Sequence, residues 1–186
     1  MLKRGLDVIV AAGGLAIFAP IIFLLIILIR RDSKGPGIFA QDRIGRHGRR
    51  FRCYKLRTMS LDAPNVPTHV SNAAQVTRIG AKLRYTKLDE LPQLWNVLRG
   101  DMSLVGPRPC LPTQTELLQE RNQRNILAVR PGITGLAQIR GVDMSHPKLL
   151  AEIDAEYIGS QTLSLDAKII FLTLFSRSGR GDQLTN

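Results

Sequence analysis

Residues 8–29 carry no charged side chain and consist almost wholly of Ile, Leu, Val, Ala, Phe and Gly. These 22 residues, at 1.5 Å rise each, cover roughly 30 Å, the thickness of one bilayer core. A spanning anchor is expected over a secretory signal, because the stretch is long and no small-residue cleavage site precedes Arg30-Arg31. Pro20 stands in its middle, where it removes a backbone hydrogen bond and bends or breaks a helix. Lys3 and Arg4 precede the stretch, and Arg30, Arg31 and Lys34 follow it. Because basic residues resist translocation, a segment basic at both ends suits a helix–break–helix that dips into the bilayer and returns. A spanning helix also tolerates a proline, so the residues alone weigh the two topologies evenly. No later stretch could form a second span. The rest of the chain is expected to be soluble, on the side where Arg30 emerges.

At 186 residues the chain has material for one domain with a real core, and not for two. Lys and Arg outnumber Asp and Glu by 26 to 15, a net charge of +11. Such a surplus calls for polyanionic partners: nucleic acid, an anionic lipid surface or phosphorylated substrates. Aromatics are only 5% of the residues, little material for base-stacking platforms. There is no helix-turn-helix, zinc or RNA-recognition signature, so nucleic acid is not expected as a partner. Cys53 and Cys110 lack paired or metal-ligand spacing and read as reduced cytosolic thiols. His47, His69 and His146 form no zinc motif. A required metal would have to sit on carboxylates and substrate phosphates, which points to Mg²⁺.

Short strand-like runs at 38–41 and 51–56 flank Gly45-Arg46-His47-Gly48-Arg49 and predict a hairpin. A polar loop is expected over 62–72 and a helix over 74–85. Leu91, Leu94, Trp95 and Leu98 recur at helical spacing, predicting one buried face, with Gly100 as the stop. Loops rich in Gly and Pro cover 101–112 and 130–135. Thr113-Gln114-Thr115-Glu116 reads as a capping box opening a helix to Ala128. Ser145 is the expected cap of a helix ending at Ile158, and Ser164 of one ending at Phe175. The last helix is apolar nearly all round, which fits core burial or docking at a membrane interface; docking is favoured.

The densest chemistry lies between Arg84 and Arg108. If Asp89 caps a helix, Pro92 falls in its first turn, and the helix start favours an ionised carboxylate and nearby phosphate. The plain reading of Asp89 and Glu90 is that of ordinary capping acids. Arg84, Arg99, Arg108 and Arg130 shift the balance, because they sit in or beside Gly/Pro-rich loops. Arginine forks bind phosphate oxygens in pairs. A carboxylate pair among such loops suits phosphoryl transfer, where positioning and charge neutralisation dominate.

The run Leu88-Asp89-Glu90-Leu91-Pro92-Gln93-Leu94-Trp95-Asn96-Val97-Leu98-Arg99-Gly100-Asp101-Met102-Ser103-Leu104-Val105-Gly106-Pro107-Arg108-Pro109 resembles the signature of the bacterial sugar transferase family, the monotopic phosphoglycosyl transferases that initiate surface glycan assembly. The likeness continues in Lys55-Leu56-Arg57-Thr58-Met59 and in Arg130-Pro131-Gly132-Ile133-Thr134-Gly135-Leu136-Ala137-Gln138. It extends to Gln41, Arg43, Asp154, Tyr157 and Leu165-Asp166-Ala167-Lys168-Ile169, so it covers nearly the whole chain. Two departures stand out: Ala19 where the family often has Ser before the breaking Pro20, and Ile139-Arg140-Gly141-Val142-Asp143 in place of a Gly-Arg-Asn stretch.

The resemblance implies a helix-dominated α+β fold over 1–186, read as a single domain. Residues 1–31 form a re-entrant membrane helix–break–helix, and 32–186 a small cytosolic region with short strands and interfacial amphipathic helices. It implies transfer of a sugar 1-phosphate from a UDP-sugar to a polyprenyl phosphate, giving polyprenyl diphosphate sugar and UMP, as the first membrane step of polysaccharide or glycoconjugate synthesis. Asp89 would be the nucleophile that carries a covalent phosphosugar, and Glu90 the Mg²⁺ ligand. Arg108 and Arg130 would hold phosphate oxygens, with Arg84, Arg57, Lys55 and Arg140 as further substrate contacts. Arg140 would substitute from its shifted position. Asp101 and Pro20 would act structurally or in support of the metal. The implied setting is the cytoplasmic face of a bacterial plasma membrane, in contact with membrane lipid, with a homodimer among the assemblies allowed.

Overall fold

The computed structural model describes residues 2–61 and 75–175, so the expected loop over 62–72 lies outside the described residues. The apolar stretch is part of one helix, α1 (Leu2–Asp32), long and apolar enough by length and composition to cross a membrane. Where a break was expected, the helix runs on through Pro20. A proline costs the helix a single N–H bond, and the many apolar residues on either side keep the remaining turns intact.

Both ends of α1 dock on the same domain. At its start, Arg4 donates to the Val97 and Leu98 carbonyls at 2.7 and 3.3 Å, and Lys3 Nζ lies 2.6 Å from Asp166 Oδ2. Asp7, buried, accepts from Ser103 Oγ at 2.8 Å and from the Leu104 amide at 3.2 Å. At its far end, Ile22, Leu25, Ile26 and Ile29 pack against Ile38, Leu56 and Leu83. Between these moorings Ile17, Phe23 and Leu24 face outward, exposed.

The expected hairpin forms, longer than its alternation suggested: β1 (Ile38–Ile44) pairs antiparallel with β2 (Arg50–Leu56), Ile38 opposite Leu56 and Gln41 opposite Cys53. His47 at φ +58° and Gly48 at φ +71° close the turn. Then follow α2 (Arg78–Thr86), α3 (Gln93–Arg99), β3 (Ser103–Val105), α4 (Thr115–Gln123), β4 (Gly132–Thr134), α5 (Leu136–Ile139), α6 (Pro147–Gly159) and α7 (Leu163–Phe175). Strands β3 and β4 pair in parallel, with Ser103 opposite Gly132. A Cβ on Gly132 would stand 2.1 Å from the Gly106 amide nitrogen, so only glycine permits this approach.

Several expected helix starts move. The Thr113 capping box does not form: α4 starts at Thr115, and the Gln114 side chain instead accepts from the Leu111 amide. Asn125 at φ +56° stops that helix short of Ala128. Ser145 is tied to Asp143, and Pro147 supplies the first turn of α6. Thr162, not Ser164, accepts from the Leu165 amide at the start of α7. On α3 the expected face is rotated: Trp95 is 51% exposed, while Gln93, Asn96 and Val97 are buried. Asn96 explains the rotation, since its side chain bridges the Tyr54 amide and the Arg52 carbonyl of β2.

Three apolar clusters form the interior. The largest joins Ile44, Val105, Leu117, Leu150, Tyr157 and Ile169. A second gathers Ala11, Cys53, Val97 and Met102, and a third Ile29, Leu56 and Leu83. Two buried polar ties lock the first. Arg121 holds Asp154 Oδ2 at 3.0 and 2.7 Å, and Tyr157 donates to Asp166 Oδ1 at 2.6 Å. Burial, with the Asp166 carboxylate beside it, pushes the Tyr157 hydroxyl well above its ordinary range. Helix α7 buries only Asp166 and Ile169; Phe171, Leu174 and Phe175 stay exposed.

Candidate active site

Lys87, in the left-handed region at φ +57°, ends α2 and turns the chain into a short 3₁₀ turn, Leu88–Glu90. Asp89 therefore lies within that turn and not at the cap of α3, where Pro92 stands. The turn packs on β2, which supplies Lys55, while the loop after β3 supplies Arg108. Lys55 Nζ and Arg108 Nη2 meet on one oxygen, Glu90 Oε1, at 2.9 and 3.1 Å. Arg43 donates to the Pro109 carbonyl and Arg121 to the Arg108 carbonyl, pinning the loop that carries Arg108. Arg84 Nε donates to Thr58 Oγ1 at 2.9 Å and adds positive charge near Asp89.

These surroundings drive the adjacent carboxyls apart. Asp89 is 8% exposed, and no ion pair holds it among the described residues. Burial pushes it up to about 6, with Glu90 adding repulsion and Lys55, Arg108 and Arg84 opposing. Burial also acts on Glu90, but the charges and hydrogen bonds of Lys55 and Arg108 outweigh it and hold the carboxyl well below the usual range. Adjacent acids with divergent affinities for protons mark distinct roles. Glu90 is a permanent anion, while Asp89 is an acid whose charge the protein leaves incompletely compensated.

A pH dependence follows. If ionised Asp89 is the reacting form, turnover rises as pH climbs through about 6 and levels off above it. Its raised value stabilises the fold below the unfolded carboxylate range, and that contribution is lost as pH rises through about 6. Glu90, lowered, has the opposite sign: its contribution is present above the unfolded value and disappears only in strong acid. Turnover measured from pH 5 to 8 at saturating substrates checks this; a flat profile contradicts it.

The bacterial sugar transferase family model matches residues 1–179. The chain belongs to the bacterial sugar transferase family. Membership makes it an enzyme, a phosphoglycosyl transferase, and not a binding module. Its relatives include the UDP-glucose:undecaprenyl-phosphate glucose-1-phosphate transferase of Caulobacter vibrioides, 43% identical over 92% of this chain and 68% of that protein. The exopolysaccharide production protein PSS of Rhizobium leguminosarum bv. phaseoli is 41% identical over 97% of each chain. The UDP-N-acetylgalactosamine-undecaprenyl-phosphate N-acetylgalactosaminephosphotransferase of Aeromonas hydrophila is 38% identical over 93% of this chain and 43% of its own length.

The sugar transferase gathers only part of the arginine set expected at its acidic pair. Lys55, Arg108 and Arg84 surround Asp89 and Glu90. Arg57 is buried and donates through Nε, Nη1 and Nη2 to the Pro36, Lys34 and Ser33 carbonyls at 2.7–2.8 Å, which makes it a clamp on the chain leaving α1. Arg130 donates to the Gly100 carbonyl, and its charged neighbours are Arg4, Arg46 and Asp7. Arg140 forms an exposed pair with Glu156 at 2.5 and 2.6 Å. Asp101 supports the end of α3 through Asn96 and Arg99. Sequence reasoning passed over Thr58, Arg121 and Gln93. The first lay inside the Lys55–Met59 run, and the second carried no motif. Gln93 is buried with its Nε2 lacking a hydrogen-bond partner among the described residues; its place in the Asp-Glu-Leu-Pro-Gln run was the available signal.

Among the described residues no group of three or more His, Cys, Asp or Glu gathers as a metal cage. Lys55 and Arg108 both engage Oε1 of Glu90 and leave its Oε2 for Mg²⁺, an ion that takes one or two carboxylates and completes its shell with substrate phosphates and water.

Proposed function

We propose that the enzyme transfers a sugar 1-phosphate from a UDP-sugar to a polyprenyl phosphate, through a phosphosugar ester on Asp89. The observation that carries this reading is the split pair: a buried, incompletely compensated Asp89 beside a Glu90 fixed by Lys55 and Arg108. An Asp89 oxygen attacks the β-phosphorus of the donor, and the bond to the bridging oxygen breaks, so that UMP departs with its electron pair. An oxygen of the polyprenyl phosphate then attacks the same phosphorus and releases the Asp89 carboxylate, giving polyprenyl diphosphate sugar. Lys55, Arg108 and Arg84 supply the positive field that lets anions approach one another. Glu90 would hold Mg²⁺, which when bound neutralises diphosphate charge.

The relatives named above act on UDP-sugars and undecaprenyl phosphate, which supports this substrate pair. They differ in the sugar, so the donor is to be found by trial. The docking of both ends of α1 on one domain favours a segment whose two ends stay on one side of the bilayer, with the site at the cytoplasmic face. The exposed apolar side of α7 suits docking at the same surface.

The test incubates the purified enzyme with polyprenyl phosphate, Mg²⁺ and a panel of UDP-sugars, reading UMP and lipid-linked label. One donor is expected to give both products in equal amounts. Absence of lipid-linked product with every UDP-sugar would defeat the assignment.

A further inference from the structure

Where α1 gives way to β1 the surface holds a cavity of about 620 Å³, within the roughly 300–1,000 Å³ of small-ligand sites. Its lining includes the apolar Ile26, Pro36 and Ile38 and the basic Arg30 and Lys34. We propose that this groove receives the acceptor, its phosphate between Arg30 and Lys34 and the first isoprene units against Ile26, Pro36 and Ile38. This rests on the reading above that the acceptor is a lipid phosphate.

The lining combines two basic side chains with apolar ones, the two kinds of contact that a lipid phosphate requires. Arg30 and Lys34 are both exposed, so their charges can be reached from solvent. The wall is built, not a loose basic tail. The buried Arg57 guanidinium fixes the Ser33, Lys34 and Pro36 carbonyls, and the Arg57 amide donates to the Gly37 carbonyl at 2.9 Å. Gly37 sits so close to α1 that a Cβ there would stand 2.8 Å from Ile26 Cγ2. Ile26 and Ile38 of the groove pack on the same apolar cluster as Leu88, the residue before Asp89. Arg57, expected from its motif to touch phosphate, thus serves the acceptor by shaping the wall beside it.

The Arg30→Ala/Lys34→Ala double variant tests this in intact protein, by titrating polyprenyl phosphate in neutral detergent and counting bound lipid by native mass spectrometry. Affinity is expected to fall at least about tenfold, the scale of losing charge-assisted phosphate contacts. The charge-preserving Arg30→Lys/Lys34→Arg variant should restore most of it. Unchanged affinity in the alanine variant overturns the assignment. So does displacement of polyprenyl phosphate by phosphatidylglycerol at equal concentration, which would mark a general anionic-lipid surface. In turnover the alanine variant should raise the acceptor KM by a similar factor with kcat nearly kept; a kcat loss at unchanged KM contradicts the groove. Failure of the wild-type enzyme to make lipid product defeats the reaction reading instead, and the titration still decides the groove.

Discussion

The Asp89→Asn enzyme is expected to lose turnover by a factor on the order of 10⁴ or more, the scale seen when a nucleophile is removed. The substitution keeps shape and removes the attacking charge. Both halves of the reaction should fail, so exchange of labelled UMP into the UDP-sugar disappears along with lipid product. Brief exposure of wild-type protein to donor alone should add a sugar-phosphate mass, and the variant should add none. Stability should move the other way. Because burial disfavours the Asp89 anion in the folded chain, a neutral amide there should keep the melting temperature at pH 7.5 equal to wild type or higher. A variant that folds as well as its parent and is dead separates chemistry from structure. Turnover within tenfold of wild type would end the nucleophile assignment.

The largest loss of stability is expected at the buried Arg121–Asp154 pair, whose side chains are 3% and 4% exposed. Arg121→Met alone strands the Asp154 carboxylate in the interior, at a cost of about 3–5 kcal/mol, or a fall of about 10 °C in melting temperature. The double change Arg121→Met/Asp154→Leu removes both charges and should recover most of that loss. Activity should not recover with it. Arg121 Nη1 also donates to the Arg108 carbonyl at 2.8 Å, so the double variant keeps its fold but loses a tether of the loop that presents Arg108. Thermal unfolding in detergent alongside turnover checks both halves. A single variant as stable as wild type, or a double variant fully active, contradicts this account.

Local chemistry made much of this legible. The hairpin announced itself through alternation around a Gly-rich turn, and the apolar stretch through its length. The acidic pair with Lys55 and Arg108 was legible through the family motifs, because those residues stand in short contiguous runs. Helix starts were misjudged where a stronger local force prevailed: Pro147 over Ser145 at α6, and the Thr162 hydroxyl over Ser164 at α7. Hydropathy points Trp95 inward, whereas Asn96 and its bonds to β2 set the orientation of α3. The arginines were hardest to sort. Nothing in the spacing of Arg57, Arg130 and Arg140 says that one will grip three carbonyls, one a helix end and one a surface glutamate. Those partners lie up to 30 residues away. The Lys3–Asp166 contact crosses 163 residues and had no local trace.

Because α1 contributes Ala11 to one apolar cluster and Ile29 to another, it is part of the interior. A gene trimmed of its first thirty or so codons should not release a smaller water-soluble catalyst, since two of the three hydrophobic centres would each be left without a wall. A more soluble form is better sought by redesigning the outward residues Ile17, Phe23 and Leu24 while leaving the inward stripe untouched.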